Sequence, residues 1–219
     1  MLLLQCPGLT PLLVDAYRYF AEALKVDREV RAFEHALAAP EPDRKIFRDY
    51  SRAQGWRKDD MPIAVVCHKL EKLIGKYADE LSRALLPSGP TLKSLLGAPD
   101  RHILRFSSYP AANEGLLNHA HVDIDLFTLL PAATTIGLEI EDAGGWRAVS
   151  PAPDEVLAIA GEFTEMFGGR PAVRHRVLAT ATPRISASFF VNAAPDLVVG
   201  GRSVGEIMSE RLCLVGRKN

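Results

Sequence analysis

Cysteine is scarce in this chain. Cys6, Cys67 and Cys213 are odd in number and far apart, with neither CxxC nor zinc-site spacing, so a disulfide framework and a structural zinc site are both excluded as organising devices. Three reduced thiols are expected. An excess of either charge is also missing: 26 basic residues face 27 acidic ones and no long single-sign run occurs, which argues against an electrostatic footprint for nucleic acid. No apolar run approaches the roughly 18 residues that span a bilayer. Met1 to Leu4 is apolar but lacks a basic n-region and an adequate h-region, so neither a membrane partner nor a leader is expected, and the cytoplasm is the default location. Aromatics make up only 7% of the residues, and no aromatic or cationic cage announces a ligand. Internal repeats and low-complexity segments are absent. What remains is a near-neutral chain of 219 residues, long enough to bury a sizeable core and suited to a small-molecule partner. Oligomeric state is left open.

The first hundred residues carry helical periodicity. Thr10-Pro11 reads as an N-cap and N1 pair, followed by Leu12, Leu13, Ala16, Tyr17, Phe20 and Leu24 on one face. A second short helix is expected over Asp27 to Leu37, ended by Ala39-Pro40-Glu41-Pro42, and the charged stretch from Asp43 to Asp60 is expected to be irregular. From Pro62 to Leu86, Val66, Leu70, Leu73, Ile74, Tyr77, Leu81 and Leu85 follow a period near 3.6 and predict one long amphipathic helix. After Asp100 the texture changes to short runs separated by Gly, Pro and Asn. Strands are expected at His102–Phe106, His121–Leu130, Thr135–Ile140, Trp146–Val149, Val156–Ala160, Arg174–Leu178 and Ile185–Val191. Ser203-x-x-Glu206 has capping-box spacing, so a closing helix is expected from Val204 to about Leu212. The pattern predicts an α+β chain: a helical N-terminal region over 1–100 packed on an antiparallel double sheet over 101–219, as one compact domain.

Against this frame stand five residues: His121-x-Asp123, His175 and Arg184-x-Ser186. On a strand, residues two apart share a face, so His121 and Asp123 can reach one ion from a single segment. With six histidines and many aspartates in the chain, that spacing alone arises easily by chance, and His119 and Asp125 flank the pair at the same parity. His175 lies in a second strand-like run and supplies another imidazole. Two His and one carboxylate form the set that holds one face of a non-haem iron(II). Arg184 and Ser186 add a charge-assisted fork and a hydroxyl on one face of a strand. The apolar neighbours Ile185, Ala187, Phe189 and Phe190 mark that strand as buried, where an unpaired charge is costly, so Arg184 is expected to have an anionic partner.

Around these residues the chain resembles the isopenicillin N synthase-like branch of the iron(II) and 2-oxoglutarate-dependent dioxygenases. The ordered blocks are Leu104-Arg-Phe-Ser-Ser-Tyr-Pro110, His119-Ala-His-Val-Asp123, Leu126-Phe-Thr-Leu-Leu130, Gly137-Leu-Glu-Ile140 and Gly145-Trp146. They continue through Gly161-Glu-Phe-Thr-Glu-Met166, Phe167-Gly-Gly169, His175-Arg-Val177 and Arg184-Ile-Ser186, ending in Phe189-Phe-Val-Asn192. The resemblance implies a double-stranded β-helix, or jelly roll, with His121, Asp123 and His175 as iron ligands and catalytic centre. It implies that Arg184 and Ser186 bind the distal carboxylate of 2-oxoglutarate and that Tyr109 contacts the same co-substrate. Ser107 stands where relatives often carry Asn. The implied cofactors are Fe(II), 2-oxoglutarate and O2; the implied reaction oxidises a C–H bond, by default to an alcohol, giving succinate and CO2. Halogenation is disfavoured because Asp123 fills the position a halide would take. The rivals are a related Fe(II) oxidase that does not use 2-oxoglutarate and a non-catalytic metal-binding jelly roll. The chain is shorter than most members, and no copy of the usual N-terminal strand segment stands out in its first hundred residues, so the substrate stays unidentified.

Overall fold

The computed structural model describes residues 1–26, 31–32 and 43–214. Its core is two antiparallel sheets. The larger joins β1 (Leu2–Gln5), β2 (Arg31–Ala32), β3 (Ile46–Tyr50), β4 (Ile103–Tyr109), β6 (Phe127–Pro131), β9 (Glu155–Ala160) and β11 (Arg184–Val191) in the order β1-β9-β6-β11-β4-β3-β2. The smaller joins β5 (Leu116–His121), β7 (Leu138–Asp142), β8 (Gly145–Ala148) and β10 (His175–Leu178) in the order β5-β10-β7-β8. β12 (Val198–Val199) and β13 (Arg202–Ser203) form a small ribbon. The helices are α1 (Leu9–Val26), α2 (Met61–Lys76), α3 (Ala78–Leu85), α4 (Leu92–Leu95), α5 (Glu162–Met166) and α6 (Val204–Leu214). This is the expected double-stranded β-helix preceded by helices.

The layering follows from alternation along the strands. In β9, Val156, Ala158 and Ala160 join the helix-side core, while Leu157 and Ile159 meet Leu117, Leu138 and Val177 of the small sheet. Both faces of the large sheet are therefore covered, which is why β9 reads as a continuous apolar run rather than an alternating one. The scarce aromatics concentrate where α1 docks: the ring of Phe106 lies 5.6 Å from Tyr17, 5.5 Å from Phe20 and 6.0 Å from Tyr50. Phe106 and Phe20 are fully buried, each worth about 1.5–3 kcal/mol of transfer free energy. No helix of the described residues is long and apolar enough to cross a membrane.

Several local expectations change. α1 begins at Leu9, one residue before the expected cap, because the capping group comes from 144 residues away in the chain. The Asp154 carboxylate accepts the N–H groups of Gly8 and Thr10 at 2.9 and 2.7 Å, and Thr10 Oγ1 accepts the Asp154 N–H at 2.7 Å. Those bonds hold the Asp154 carboxyl down at about 2 and its backbone at φ 61°, a conformation Asp tolerates better than most residues. The expected helix over Asp27–Leu37 lies outside the described residues except for Arg31–Ala32, which form strand β2. The charged stretch after Asp43 is not irregular throughout: Ile46–Tyr50 is strand β3, paired with β4, and β1 likewise adds to the large sheet from the N-terminal side. The long helix over Pro62–Leu86 is two helices broken at Tyr77 (φ −110°, ψ 19°), whose hydroxyl donates to the Gln5 carbonyl at 3.1 Å. The single strand expected over His121–Leu130 is two strands in different sheets, with residues 122–126 crossing between them. At the C-terminal end the capping box forms as read: Ser203 Oγ accepts from Glu206 N at 3.2 Å and the Glu206 carboxylate accepts from Ser203 N at 2.8 Å.

Candidate active site

His121 ends β5, His175 begins β10, and the two are direct partners in the antiparallel register. Their rings sit 4.3 Å apart between centroids. Asp123, just past the end of β5, completes the group: Oδ1 lies 3.7 Å from His121 Nε2 and Oδ2 lies 3.7 Å from His175 Nε2. One ligand atom from each residue falls within 4.8 Å of the others, so the three can hold a single metal ion. Asp123 therefore shares the site with His121 across a turn rather than along one strand face, as the sequence spacing had suggested. The protonation pattern suits ligation. His121 Nδ1 faces the His119 carbonyl at 2.7 Å and His175 Nδ1 faces the Val173 carbonyl at 3.1 Å. A carbonyl can only accept, so each Nδ1 carries a proton, which in the neutral ring leaves the lone pair on Nε2, the nitrogen nearer Asp123.

The 122–126 turn is held from below by α5. Glu162 N donates to the Asp123 carbonyl, Phe163 N to that of Asp125, and Gly161 N and Thr164 Oγ1 to that of Leu126. The Thr128 hydroxyl reaches both Asp123 Oδ2 and, at 2.9 Å, Asp125 Oδ2. Asp125 has no exposed surface; its burial, then the neighbouring Asp123 charge, push its carboxyl well above the usual carboxylate range. A Cβ at Gly161 would stand 2.0 Å from Asp125 Oδ1 and 2.5 Å from its backbone oxygen, so the close approach of α5 to this turn requires glycine.

A cavity of about 770 Å³ between the sheets contains the triad together with Tyr109, Arg184 and Ser186. Arg184 and Ser186 share the inward face of β11, opposite Tyr109 and Ser107 of β4, and the Arg184 guanidinium lies 5.2 Å from the Tyr109 ring centroid. Arg184 is only 5% exposed, and its Nε and Nη1 have no hydrogen-bond partner among the described residues. A buried cation with unmet donors at the wall of a cavity is a costly arrangement that an anion would relieve.

Two residues of the site were not visible in the sequence. Asp43 Oδ1 accepts both the backbone N–H and Nδ1 of His119, each at 2.9 Å, and the His119 carbonyl in turn orients His121. Buried Lys45 donates to Asn118 Oδ1 at 2.6 Å and lies 3.5 Å from Asp43, while Arg44 N bonds the Leu117 carbonyl. Residues 43–45 thus strap β5 to the large sheet. Their charges look solvent-directed in sequence, and the signal available was the spacing Asp43-x-Lys45 just before the apolar pair Ile46-Phe47.

Comparison with known proteins agrees with this geometry. Residues 101–193 match the family model described as the 2OG-Fe(II) oxygenase superfamily. The chain is 40% identical over 83 residues to mugineic-acid 3-dioxygenase of Hordeum vulgare, covering 36% of this chain and 25% of that protein. It is 30% identical over 137 residues to gibberellin 2-beta-dioxygenase 5 of Oryza sativa subsp. japonica, covering 59% and 40%. The match spans well under half the length of these plant relatives. The structure of dioxygenase for auxin oxidation 1 from Arabidopsis thaliana, solved as its 2-oxoglutarate complex, superposes with a TM-score of 0.68 at 17% identity, covering 88% of this chain and 82% of that one. The ordered motif blocks and the two-sheet fold agree with the matched span: over residues 101–193 the chain is similar to the 2OG-Fe(II) oxygenase superfamily.

Proposed function

We propose that this protein is an Fe(II)- and 2-oxoglutarate-dependent oxygenase that oxidises a C–H bond of a small molecule, by default hydroxylating it, with succinate and CO2 as coproducts. In this reading His121, Asp123 and His175 hold the iron, Arg184 and Ser186 take the distal carboxylate of 2-oxoglutarate, and Tyr109 packs against the co-substrate. The 101–219 segment carries the proposed iron and co-substrate residues, and the 1–100 region belongs to the same compact domain, adding β1, β2 and β3 to the large sheet and Asp43 and Lys45 to the site. The reduced thiols Cys6, Cys67 and Cys213 suit the cytoplasm.

The observation that carries the reading is Arg184. A metal triad by itself needs no buried guanidinium, whereas a triad with a dicarboxylate co-substrate does, and Arg184 lines the triad's own cavity as a buried cation with two N–H groups that no described residue satisfies. The donor set fits the metal: two imidazole nitrogens and one carboxylate, gathered at one point, are the set that would hold iron(II). Bound there, iron(II) would supply the activation of dioxygen that organic side chains cannot. The protein's own part is positioning. The carbonyls of His119 and Val173 keep both imidazoles in the ligating tautomer, and Thr128 fixes Asp123. Arg184 and Ser186 would take the far carboxylate of the co-substrate, and the apolar walls at Leu130, Leu138 and Val177 would exclude water around it.

The test is succinate formation on incubating the protein with iron(II), 2-oxoglutarate and air. Succinate above the metal-free control supports the reading. A metal-dependent oxidation that proceeds without 2-oxoglutarate would replace it with the oxidase alternative.

A further inference from the structure

The floor of the cavity is a two-strand ladder with a polarity gradient. Its inward pairs run Tyr109 opposite Arg184, Ser107 opposite Ser186, Arg105 opposite Ser188 and Ile103 opposite Phe190. Six residues of strand separate the Arg184 end from the Phe190 end, or about 20 Å. The apolar end is the one beside the triad: Phe190 pairs with Thr128, the residue that bonds Asp123. There Met208 and Leu212 of α6 and Ile124 of the 122–126 turn complete a half-buried apolar wall.

The cations lining the cavity are matched except in one place. Lys45 pairs with Asp43 at 3.5 Å, Arg105 with Asp49 at 2.7 Å, Arg174 with Glu141 at 3.0 Å and Arg211 with Glu162 at 2.8 Å. The Arg105–Asp49 pair is bidentate, and its guanidinium also lies over the rings of Phe47 and Phe190. Among the described residues, Arg184 is the one cavity-lining cation without a carboxylate partner. A second anion entering the apolar end would lose its hydration and find each nearby cation already neutralised.

We propose that the open, triad-side half of the cavity takes an uncharged, largely apolar small molecule, and that Asp49 enforces this by occupying Arg105. The proposal rests on the assignment of Arg184 to 2-oxoglutarate.

The test uses the full chain loaded with Mn(II), which binds like iron(II) without turnover, and titrated calorimetrically in two stages. 2-Oxoglutarate is added first to saturation, followed by matched probes: naphthalene-2-carboxamide against naphthalene-2-carboxylate, and cyclohexanecarboxamide against cyclohexanecarboxylate. The amide of each pair is expected to bind about tenfold or more tighter than its carboxylate, the penalty of an unpaired buried charge. Asp49→Asn, which removes the carboxylate charge from Arg105, is expected to narrow or invert that ratio while leaving the 2-oxoglutarate isotherm unchanged. Equal or tighter binding of the carboxylates by the unaltered protein, or no binding of either amide, would overturn the substrate class. A missing 2-oxoglutarate isotherm in the first stage would instead overturn the assignment of Arg184.

Discussion

His121 and His175 face each other as cross-strand partners of β5 and β10, with ring centroids 4.3 Å apart and each Nδ1 turned to a backbone carbonyl two residues earlier in its own chain segment. The carboxylate of Asp123 approaches both Nε2 atoms at 3.7 Å. Two strands and one turn thus converge three ligand atoms. His121→Ala and His175→Ala are each expected to reduce Mn(II) binding to background while the protein stays folded by circular dichroism. His119→Ala is expected to retain metal binding, because the His119 ring is turned onto Asp43. Metal binding that survives His175→Ala but is lost in His119→Ala would reassign the ligand.

Asp43 acts on the same centre through His119. Removing it frees the residue whose carbonyl holds His121 Nδ1, and supporting groups of this kind typically contribute about 10- to 100-fold in metal affinity. Asp43→Ala is expected to weaken Mn(II) by roughly that factor, with Asp43→Asn intermediate because its amide oxygen still accepts. Calorimetric titration reads the affinity and a thermal melt reads the fold. An unchanged affinity in both variants would make residues 43–45 a strap for β5 alone.

Much of this site was legible in the sequence because strand alternation and motif order are local properties. β4, β9, β10 and β11 fall within one to three residues of their expected ends, and His121, Asp123, His175, Arg184, Ser186 and Tyr109 gather in one cavity. What stayed hidden depends on partners far away in the chain. Strand β3 was masked by Arg48 and Asp49, whose charges read as loop until Arg105 is seen beside Asp49 on the neighbouring strand. The cap of α1 lies at Asp154, and no local pattern links it to Thr10. The run from His121 to Leu130 looked like one strand because its apolar residues continue through the turn. The break there is imposed by α5, whose N–H groups capture the turn's carbonyls.

That capture makes Gly161 a sharp stability test. Gly161→Ala places a methyl 2.0 Å from Asp125 Oδ1 and must push α5 off the 122–126 turn. Overpacking of this kind costs about 1–3 kcal/mol. The expected melting temperature falls by roughly 2–4 °C per kcal/mol for a chain of this size, with metal affinity reduced alongside it. A variant as stable as the unaltered protein would show that the turn can yield without cost.

The Asp154 cap carries a pH signature. Its hydrogen bonds to Thr10 and Gly8 hold the folded-state carboxyl at about 2, below the ordinary 3.8. A depressed carboxyl stabilises the fold above the unfolded value and loses that contribution as pH falls through the folded one. The stability difference between the unaltered protein and Asp154→Asn, read from urea midpoints, is therefore expected to be constant above about pH 5 and to shrink between about pH 4 and 2. A difference that does not change across this window would mean the side-chain charge is irrelevant to the cap.

The most direct test of the central claim is an anaerobic titration of 2-oxoglutarate into the iron(II)-loaded protein, followed by visible difference absorption and then by succinate release on admitting air. The prediction is a saturable spectral change at one equivalent and succinate above the metal-free control. Arg184→Lys should weaken 2-oxoglutarate by about tenfold or more while moving iron affinity by less than about twofold, because a point charge replaces a fork. No spectral change together with no succinate, or equal loss of iron and 2-oxoglutarate in Arg184→Lys, would contradict the account.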